Sequence, residues 1–194
     1  ITGILPKNTI SLIETRENVK ELIKLDKYVD LIIPRGSNAF VSHIKSNSTI
    51  PVLGHSEGIC HIYIDKNADI KKSLEICIDA KCQYPAACNS VETLLVHKDI
   101  AENFLPKLES VFKKENVEIR GCANTVKIIK QIKKASEKDW KTEYSDNIIS
   151  IKIVKNANDA IEHINKYGSK HTDAIVTENK ETAEKFMNLV DSSS

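Results

Sequence analysis

What the sequence lacks excludes several classes of protein. It contains no apolar run long enough to span a membrane, and its first residues show no charged-then-apolar signal pattern. Charge of one sign is not in excess, because 28 Lys and Arg are balanced by 27 Asp and Glu to give a net charge of +1. Proteins that bind nucleic acid or membrane surfaces usually carry a positive excess. We therefore expect neither partner, and we interpret the basic run at 127–134 as the solvated face of a helix.

Nucleotide and metal motifs are absent as well. Neither a GxGxxG nor a Walker A sequence occurs. The cysteines are odd in number, and none has the spacing to a second pair or to histidines that a metal site requires. They are Cys60, Cys77, Cys82, Cys88 and Cys122. We expect no metal, and free thiols in a reducing compartment, either the cytosol or the mitochondrial matrix.

What is present is the alternation of strand-like and helical segments, which predicts an α/β fold with a mainly parallel sheet. With 194 residues, the chain can form one large domain or a domain plus a fragment. Residues 10–13 and 29–33, on either side of a charged helix, predict a βαβ unit. Residues 50–53 predict a further strand, and residues 124–133 a basic helix.

A single thiol lies in a loop that the sequence defines well. A helix beginning at Asp69 places Cys77 on its apolar stripe, which favours an inert core residue there. Pro85 prevents that helix from continuing, and a strand follows from Val91. Cys88 therefore lies in a short loop of small residues between two regular elements. Such a position is typical of a covalent nucleophile, although a buried structural cysteine would fit it too.

Two further turns carry candidate binding groups. Gly36 and Ser37 follow a predicted strand and precede a helix, where backbone N–H groups can bind a phosphate or a ribose. Most glycines at such positions only form the turn. Residues 54–58 place His55 and Glu57 between two glycines, and a plain polar turn is the slightly favoured interpretation.

Five segments together resemble the gamma-glutamyl phosphate reductases, a family within the aldehyde dehydrogenase superfamily. They are residues 31–37, 54–58, 84–89, 142–144 and 168–177, in the family's order and at compatible spacing. The amino-acid sequences of residues 54–65 and 82–95 most resemble the reductase half of the animal bifunctional Δ1-pyrroline-5-carboxylate synthases. The resemblance covers nearly the whole chain.

The resemblance implies an aldehyde-dehydrogenase-like catalytic domain at 54–194, truncated at its C-terminus, after the end of a Rossmann-like NADP-binding domain at 1–53. It implies NADPH-dependent reduction of L-glutamyl 5-phosphate to L-glutamate 5-semialdehyde and phosphate, in proline biosynthesis. It further implies a homo-oligomer in the full-length protein. For the animal enzyme it adds a fused glutamate 5-kinase domain and a mitochondrial location; otherwise we expect the cytoplasm. Because the chain starts at Ile1 rather than Met, we expect a piece of a longer protein. The resemblance implies further segments before Ile1 and after Ser194, so we expect this piece to be inactive by itself.

The resemblance also implies a role for individual residues. Cys88 is the expected nucleophile, and Arg35, Gly36, Ser37 and Glu143 are the expected cofactor-binding residues. The expected substrate-binding residues are His55, Glu57, Asn89 and His171. For Glu143 a surface carboxylate is an equal alternative, and for His171 a histidine bound to a backbone carbonyl is preferred.

Two other functions stay open at this point. The chain could be a non-catalytic assembly module of a larger synthase. It could also belong to an aldehyde-oxidising, NAD-dependent dehydrogenase.

Overall fold

The computed structural model describes residues 6, 8–54 and 57–194. The chain divides into two compact units, Ile1–Ser56 and Glu57–Ser194. Within the described residues, no helix combines the length and the apolar character needed to cross a bilayer. His55 and Ser56 fall between the two described stretches.

Within its described residues, the first unit contains two helices, α1 (Arg16–Leu22) and α2 (Asn38–Asn47). Thr15 and Ser37 cap them, each accepting a hydrogen bond from a backbone N–H three residues further on. The buried apolar side chains of this unit include Ile23, Val41, Ile44 and Ile50. This is a small core, in which Val41 and Ile44 come from α2, Ile23 directly follows α1, and Ile50 follows α2.

The βαβ unit predicted for this region is wrong in its strands. Residues 10–13 form no strand, and Ile10 and Leu12 are 87% and 83% exposed. The two later segments meet only at a single parallel bridge between Ile32 and Val52. A strand is stable when a neighbour satisfies its backbone N–H and C=O groups. Residues 10–13 have no such neighbour in the part of the chain that the structure describes.

The second unit is built on a six-stranded sheet in which all paired strands are parallel. Its strands are β1 (Cys60–Ile64), β2 (Val91–His97), β3 (Glu118–Gly121), β4 (Lys133–Lys134), β5 (Ile148–Val154) and β6 (Asp173–Val176). Their order across the sheet is β4-β3-β5-β2-β1-β6. The predicted α/β fold with a mainly parallel sheet is confirmed.

Helices cover both faces of this sheet. They are α3 (Ile70–Cys82), α4 (Lys98–Lys114), α5 (Ala123–Ile128), α6 (Ala157–Tyr167) and α7 (Lys180–Leu189), with a 3₁₀ turn at Asp139–Lys141. One apolar cluster packs α3, α4 and α5 on the sheet, and a second packs α6 and α7 on the opposite face. Because both faces are covered, β1 and β2 are buried along their whole length. Asp69 caps α3 as predicted, and Cys77 is fully buried in the first cluster.

The helix predicted for residues 124–133 is too long. Helix α5 ends at Ile128, and Ile129 turns its side chain into the core with an extended backbone. Lys133 and Lys134 then form the edge strand β4 beside β3. The four lysines of the basic run are thus solvent-exposed as expected, but two of them lie on a strand. A two-residue lysine edge is a usual way to prevent further strand pairing.

Candidate active site

The topology of the second unit brings the predicted site residues to one edge of the sheet. Glu57 precedes β1, Cys88 precedes β2, Glu143 precedes β5 and His171 precedes β6. These strands are neighbours in the order β5-β2-β1-β6 and all are parallel. The four residues therefore lie along the amino-terminal edge, with Cys88 ahead of a central strand. Open α/β sheets more often bind ligands at the carboxyl edge.

The loop at 83–90, here called the thiol loop, presents its cysteine to solvent. Two backbone hydrogen bonds fold it into successive turns: the Ala87 N–H donates to the Tyr84 carbonyl and the Ser90 N–H to the Ala87 carbonyl, each at 3.0 Å. The Ser90 hydroxyl donates to the Ala80 carbonyl at 3.2 Å, which closes the base of the loop. Cys88 is exposed at the tip.

Gly58 and Cys60 support the backbone of the thiol loop from behind. The Cys60 thiol donates to the Cys88 carbonyl at 3.3 Å. A Cβ atom at Gly58 would lie 2.0 Å from that same oxygen, so only glycine permits the contact. Burial raises the pKa of Cys60 to about 12, which keeps its proton available for the hydrogen bond.

The residues predicted to bind substrate lie around this support. The ring of His171 is half-buried, with Nδ1 2.8 Å from the Thr172 hydroxyl and 3.9 Å from the Cys60 sulphur. Asn89 and Glu57 are exposed, one beside Cys88 and one directly before Gly58. His55 lies outside the described residues.

The loop at 142–146, here called the Glu143 loop, is anchored by its tyrosine. The Tyr144 hydroxyl donates to Asp139 at 2.8 Å and lies 2.8 Å from the Ser150 hydroxyl, while the Arg120 guanidinium covers the ring at 4.9 Å. Burial raises the pKa of Tyr144 to about 12, so its hydroxyl stays a donor. Glu143 is half-buried next to this anchor.

The other predicted cofactor residues belong to the first unit. Arg35, Gly36 and Ser37 line a cleft of about 640 Å³ between α1 and α2. Gly36 has a φ of 152°, a value that side chains disfavour, and Ser37 caps α2. Backbone N–H groups at the start of a helix are groups that can bind an anionic or hydroxyl-rich ligand.

Cys122 is a rival thiol that the sequence did not reveal. Burial by itself would raise the pKa of Cys122. Hydrogen bonds from the Thr125 hydroxyl and from nearby backbone N–H groups outweigh burial and hold that pKa below its ordinary value. Cys122 is half-buried and follows β3, so it lies at the carboxyl-terminal edge, away from Cys88.

Sequence reasoning also missed the groups that hold the loops. A glycine directly before a strand is a signal of close backbone approach, which is the role of Gly58. Glu92 lies in an otherwise uncharged run of β2, and such a residue needs a partner when buried. That partner, Lys81, lies 2.9 Å away at the end of α3. Among the described residues, no three His, Cys, Asp or Glu side chains are placed to hold a metal ion.

The family of the chain follows from a family model and from its relatives. The model described as "Aldehyde dehydrogenase family" matches residues 3–127, so the chain belongs to the aldehyde dehydrogenase family. It is 58% identical, over 191 residues, to the gamma-glutamyl phosphate reductase of Nostoc punctiforme, covering 98% of the chain and 44% of that relative. The chain thus spans less than half the length of the curated relatives it matches.

Solved structures show the same relation. The gamma-glutamyl phosphate reductase of Thermotoga maritima superposes with a TM-score of 0.89 at 46% identity, covering 92% of this chain and 43% of that one. The glyceraldehyde-3-phosphate dehydrogenase of Methanocaldococcus jannaschii, solved with NADP, has a TM-score of 0.68 at 18% identity. It covers 90% of this chain and 47% of that one, and it shows the shared fold alone.

Proposed function

We propose that this chain is the thiol-bearing part of a gamma-glutamyl phosphate reductase. The reaction would reduce L-glutamyl 5-phosphate to L-glutamate 5-semialdehyde and release phosphate, as a step of proline biosynthesis. The observation that carries the proposal is the exposed Cys88 thiol, held by its backbone at the amino-terminal edge of the sheet. The high identity to reductases of this name supports the choice of substrate.

Cys88 would act as the nucleophile in two steps. Its thiolate attacks the acyl carbon, the carbon–oxygen bond to phosphate breaks with its electron pair, and a thioester and free phosphate result. Reduction of the thioester and collapse of the resulting thiohemiacetal give the aldehyde and return the thiol. Ala86 and Ala87 directly precede Cys88 and offer no group that would activate water, which would limit hydrolysis of the thioester.

The residues present fit part of a nicotinamide cofactor. The cleft beside Arg35, Gly36 and Ser37 falls within the usual size of a ligand pocket, and Glu143 offers a carboxylate to ribose hydroxyls from a fixed loop. When bound, NADPH supplies the hydride that reduces the acyl carbon. NADPH rather than NADH is part of the proposal and rests on the resemblance to the reductase family alone.

Substrate contacts are assigned to the polar residues around the thiol. Asn89 is placed beside Cys88, and we propose that it and Glu57 bind the amino acid part of the substrate. We include His55 from the resemblance alone. We include His171 among the residues that bind substrate. Its ring lies near Cys60, so it would also help to hold the Cys60 thiol that supports the thiol loop.

The two units would correspond to two domains. We propose that Ile1–Ser56 is the end of the cofactor domain and Glu57–Ser194 the catalytic domain, close to the division expected after residue 53. A homo-oligomer of the full-length protein belongs to the same proposal. A fused glutamate 5-kinase and a mitochondrial location would follow only for an animal bifunctional enzyme. A kinase sequence directly before Ile1 tests this, and its absence would favour a separate cytoplasmic reductase.

The reverse reaction tests the proposal in the full-length protein that carries this sequence. L-glutamate 5-semialdehyde, NADP⁺ and phosphate should give NADPH, and omission of phosphate should abolish the signal. The Cys88→Ala variant should lose activity by at least ~10³-fold while keeping its fold. NAD⁺ reduction without phosphate would instead identify an aldehyde-oxidising dehydrogenase. Retained activity in the variant would remove Cys88 as nucleophile, and an inactive but correctly folded parent would favour an assembly module.

A further inference from the structure

A buried ion pair lies between the two loops that carry Cys88 and Glu143. Lys81 Nζ is 2.9 Å from Glu92 Oε2, and the side chains are 0% and 1% exposed. Lys81 belongs to the last turn of α3 and Glu92 to the start of β2, so the thiol loop is the connection between them. The pair therefore joins the two ends of the thiol loop.

The second oxygen of the same carboxylate holds the Glu143 loop. Glu92 Oε1 accepts the backbone N–H of Ser145 at 3.3 Å, and the N–H of Tyr144 also supports it. On its other side the loop is held by the Tyr144 hydroxyl on Asp139. Glu143 thus directly precedes Tyr144, which is held by its backbone and its side chain, and Ser145, which is held by its backbone.

Stability alone does not account for such a pair. Removing two charges from water costs desolvation free energy, and a well-packed apolar pair of similar volume would often be at least as stable. Burial raises the pKa of Glu92 to about 7, against the effects of Lys81 and of the backbone N–H groups. An apolar side chain at this position would fill the space, but it could not accept the Ser145 N–H.

We propose that Lys81 and Glu92 are positioning residues of the reductase. The pair holds the Glu143 loop in place against the thiol loop, so that Glu143 meets the cofactor ribose while Cys88 carries the acyl group. This inference rests on the proposed function, because the role of Glu143 belongs to it.

Two variants of the full-length protein separate positioning from simple stabilisation. Glu92→Gln has one acceptor oxygen where the carboxylate has two, one bonded to Lys81 and the other to Ser145, so one of these two residues loses its partner. The exchange Lys81→Glu with Glu92→Lys keeps a buried ion pair but turns an ammonium donor toward the Ser145 N–H. If the ion pair serves only stability, the exchange should restore the properties of the parent protein. If the pair positions the Glu143 loop, the exchange should not restore them, because the acceptor for the Ser145 N–H is lost.

We expect both variants to raise the KM for NADPH by about tenfold, the equivalent of one lost hydrogen bond. The kcat should change by less than about threefold, and the KM for the acyl phosphate should stay constant. Without cofactor, the Ser145 amide should exchange hydrogen at least about tenfold faster in both variants. This last measurement needs no activity.

A cycle with Glu143→Ala tests whether the pair acts through Glu143. If it does, Glu92→Gln adds no further rise in the NADPH KM once Glu143 is gone. Tyr63→Phe is the matched control, because it removes a buried hydrogen bond of 3.0 Å to Asp65 at the opposite end of the sheet. It should lower stability and leave the NADPH KM unchanged.

The possible failures are distinguishable. Three outcomes would contradict the positioning role. Glu143→Ala could raise the NADPH KM while Glu92→Gln does not, the effects of these two variants could add, or the charge exchange could restore the parent values. If Glu143→Ala itself leaves the NADPH KM unchanged, the cofactor role in the proposed function is wrong instead. Should Glu92→Gln fail to fold, as seen by circular dichroism, the charge exchange carries the same test.

Discussion

At the scale of single residues, the thiol loop exposes a side chain while hydrogen bonds and a close contact hold its backbone. Two short turns place Cys88 at the tip, and its carbonyl is held from behind by Cys60 and by contact with Gly58. The other cysteines are buried or half-buried. The chemistry expected of Cys88 thus depends on neighbours that themselves take no part in bond formation.

Alkylation should distinguish Cys88 from the other thiols. We expect iodoacetamide to modify Cys88 at least about tenfold faster than any other cysteine in the native chain, because reaction needs an accessible thiolate. Peptide mass spectrometry after timed quenching measures the five rates. Cys122 is the critical comparison, since its pKa is lowered while its side chain is half-buried. Cys122→Ser should leave the fast phase unchanged; a fast phase that disappears in this variant would assign it to Cys122.

Gly58→Ala should displace the thiol loop. The new Cβ would lie 2.0 Å from the Cys88 carbonyl oxygen, a backbone atom that cannot move without shifting the loop. We expect reductase activity to fall by at least about tenfold. Gly54→Ala is the control, because its Cβ would meet only side-chain carbons of Pro34 at 3.1 Å and Val41 at 3.4 Å. Equal activity in both variants would show that the loop tolerates the displacement.

At the scale of elements, the periodic segments of the second unit could be predicted and the short ones could not. Helix α3 has an acidic cap and a clear apolar stripe, and β2 is a continuous buried run, so both were found from the sequence. Strand β4 has two lysines and no apolar side chain, and it exists only because β3 offers a free edge. The opposite error occurred at residues 10–13, where an apolar run predicted a strand. No strand forms there, because no neighbouring strand among the described residues pairs with it.

The site could be predicted in the same degree. The position of Cys88 followed from Pro85 and from the strand behind it, both visible in the sequence. The contact of Gly58 with the thiol loop and the partner of Glu92 depend on chain segments that only the folded sheet brings together. These supports could therefore not be identified before the topology was known.

Helix α6 packs on β5 through His163, a histidine whose protonation is disfavoured in the folded state. His163 Nδ1 lies 2.9 Å from Lys152 Nζ, and its ring meets the Trp140 ring at 5.5 Å. Burial, assisted by the nearby positive charges of Lys152 and Lys166, lowers the pKa of His163 to about 2 from 6.5. The folded state thus keeps this ring neutral.

The consequence is a loss of stability in acid. Below pH 6.5 the unfolded chain binds a proton at His163 that the folded chain does not, so the free energy of unfolding falls by up to ~1.4 kcal/mol per pH unit. His163→Asn keeps an acceptor near Nδ1 and cannot titrate, so its unfolding free energy should fall less steeply between about pH 6 and 4. Urea unfolding followed by the fluorescence of Trp140, the sole tryptophan, measures both slopes. His43→Asn is the control at an exposed histidine, and parallel slopes for parent and His163→Asn would contradict the assignment.

At the scale of the whole molecule, the two units differ in how much structure holds them. The second unit has a six-stranded sheet between two apolar clusters. In the part of the first unit that the structure describes there are two short helices and one isolated bridge, and large apolar side chains are exposed. These include Ile10, Leu12, Tyr28, Ile33 and Leu53.

Hydrogen exchange should therefore separate the units along the chain. We expect the slowest amides in β1, β2 and β5, whose bonds are broken only by opening the central sheet. Amides of α1 and α2 should exchange faster by at least about a hundredfold, because opening them disrupts only a small core. Residues 57–194 expressed alone should then keep the protection pattern of the central strands. Protection in α1 and α2 equal to that of β2, or loss of protection in the shorter chain, would mean that the first unit contributes to the stability of the sheet. The support of Cys88 would in that case depend on more than the second unit.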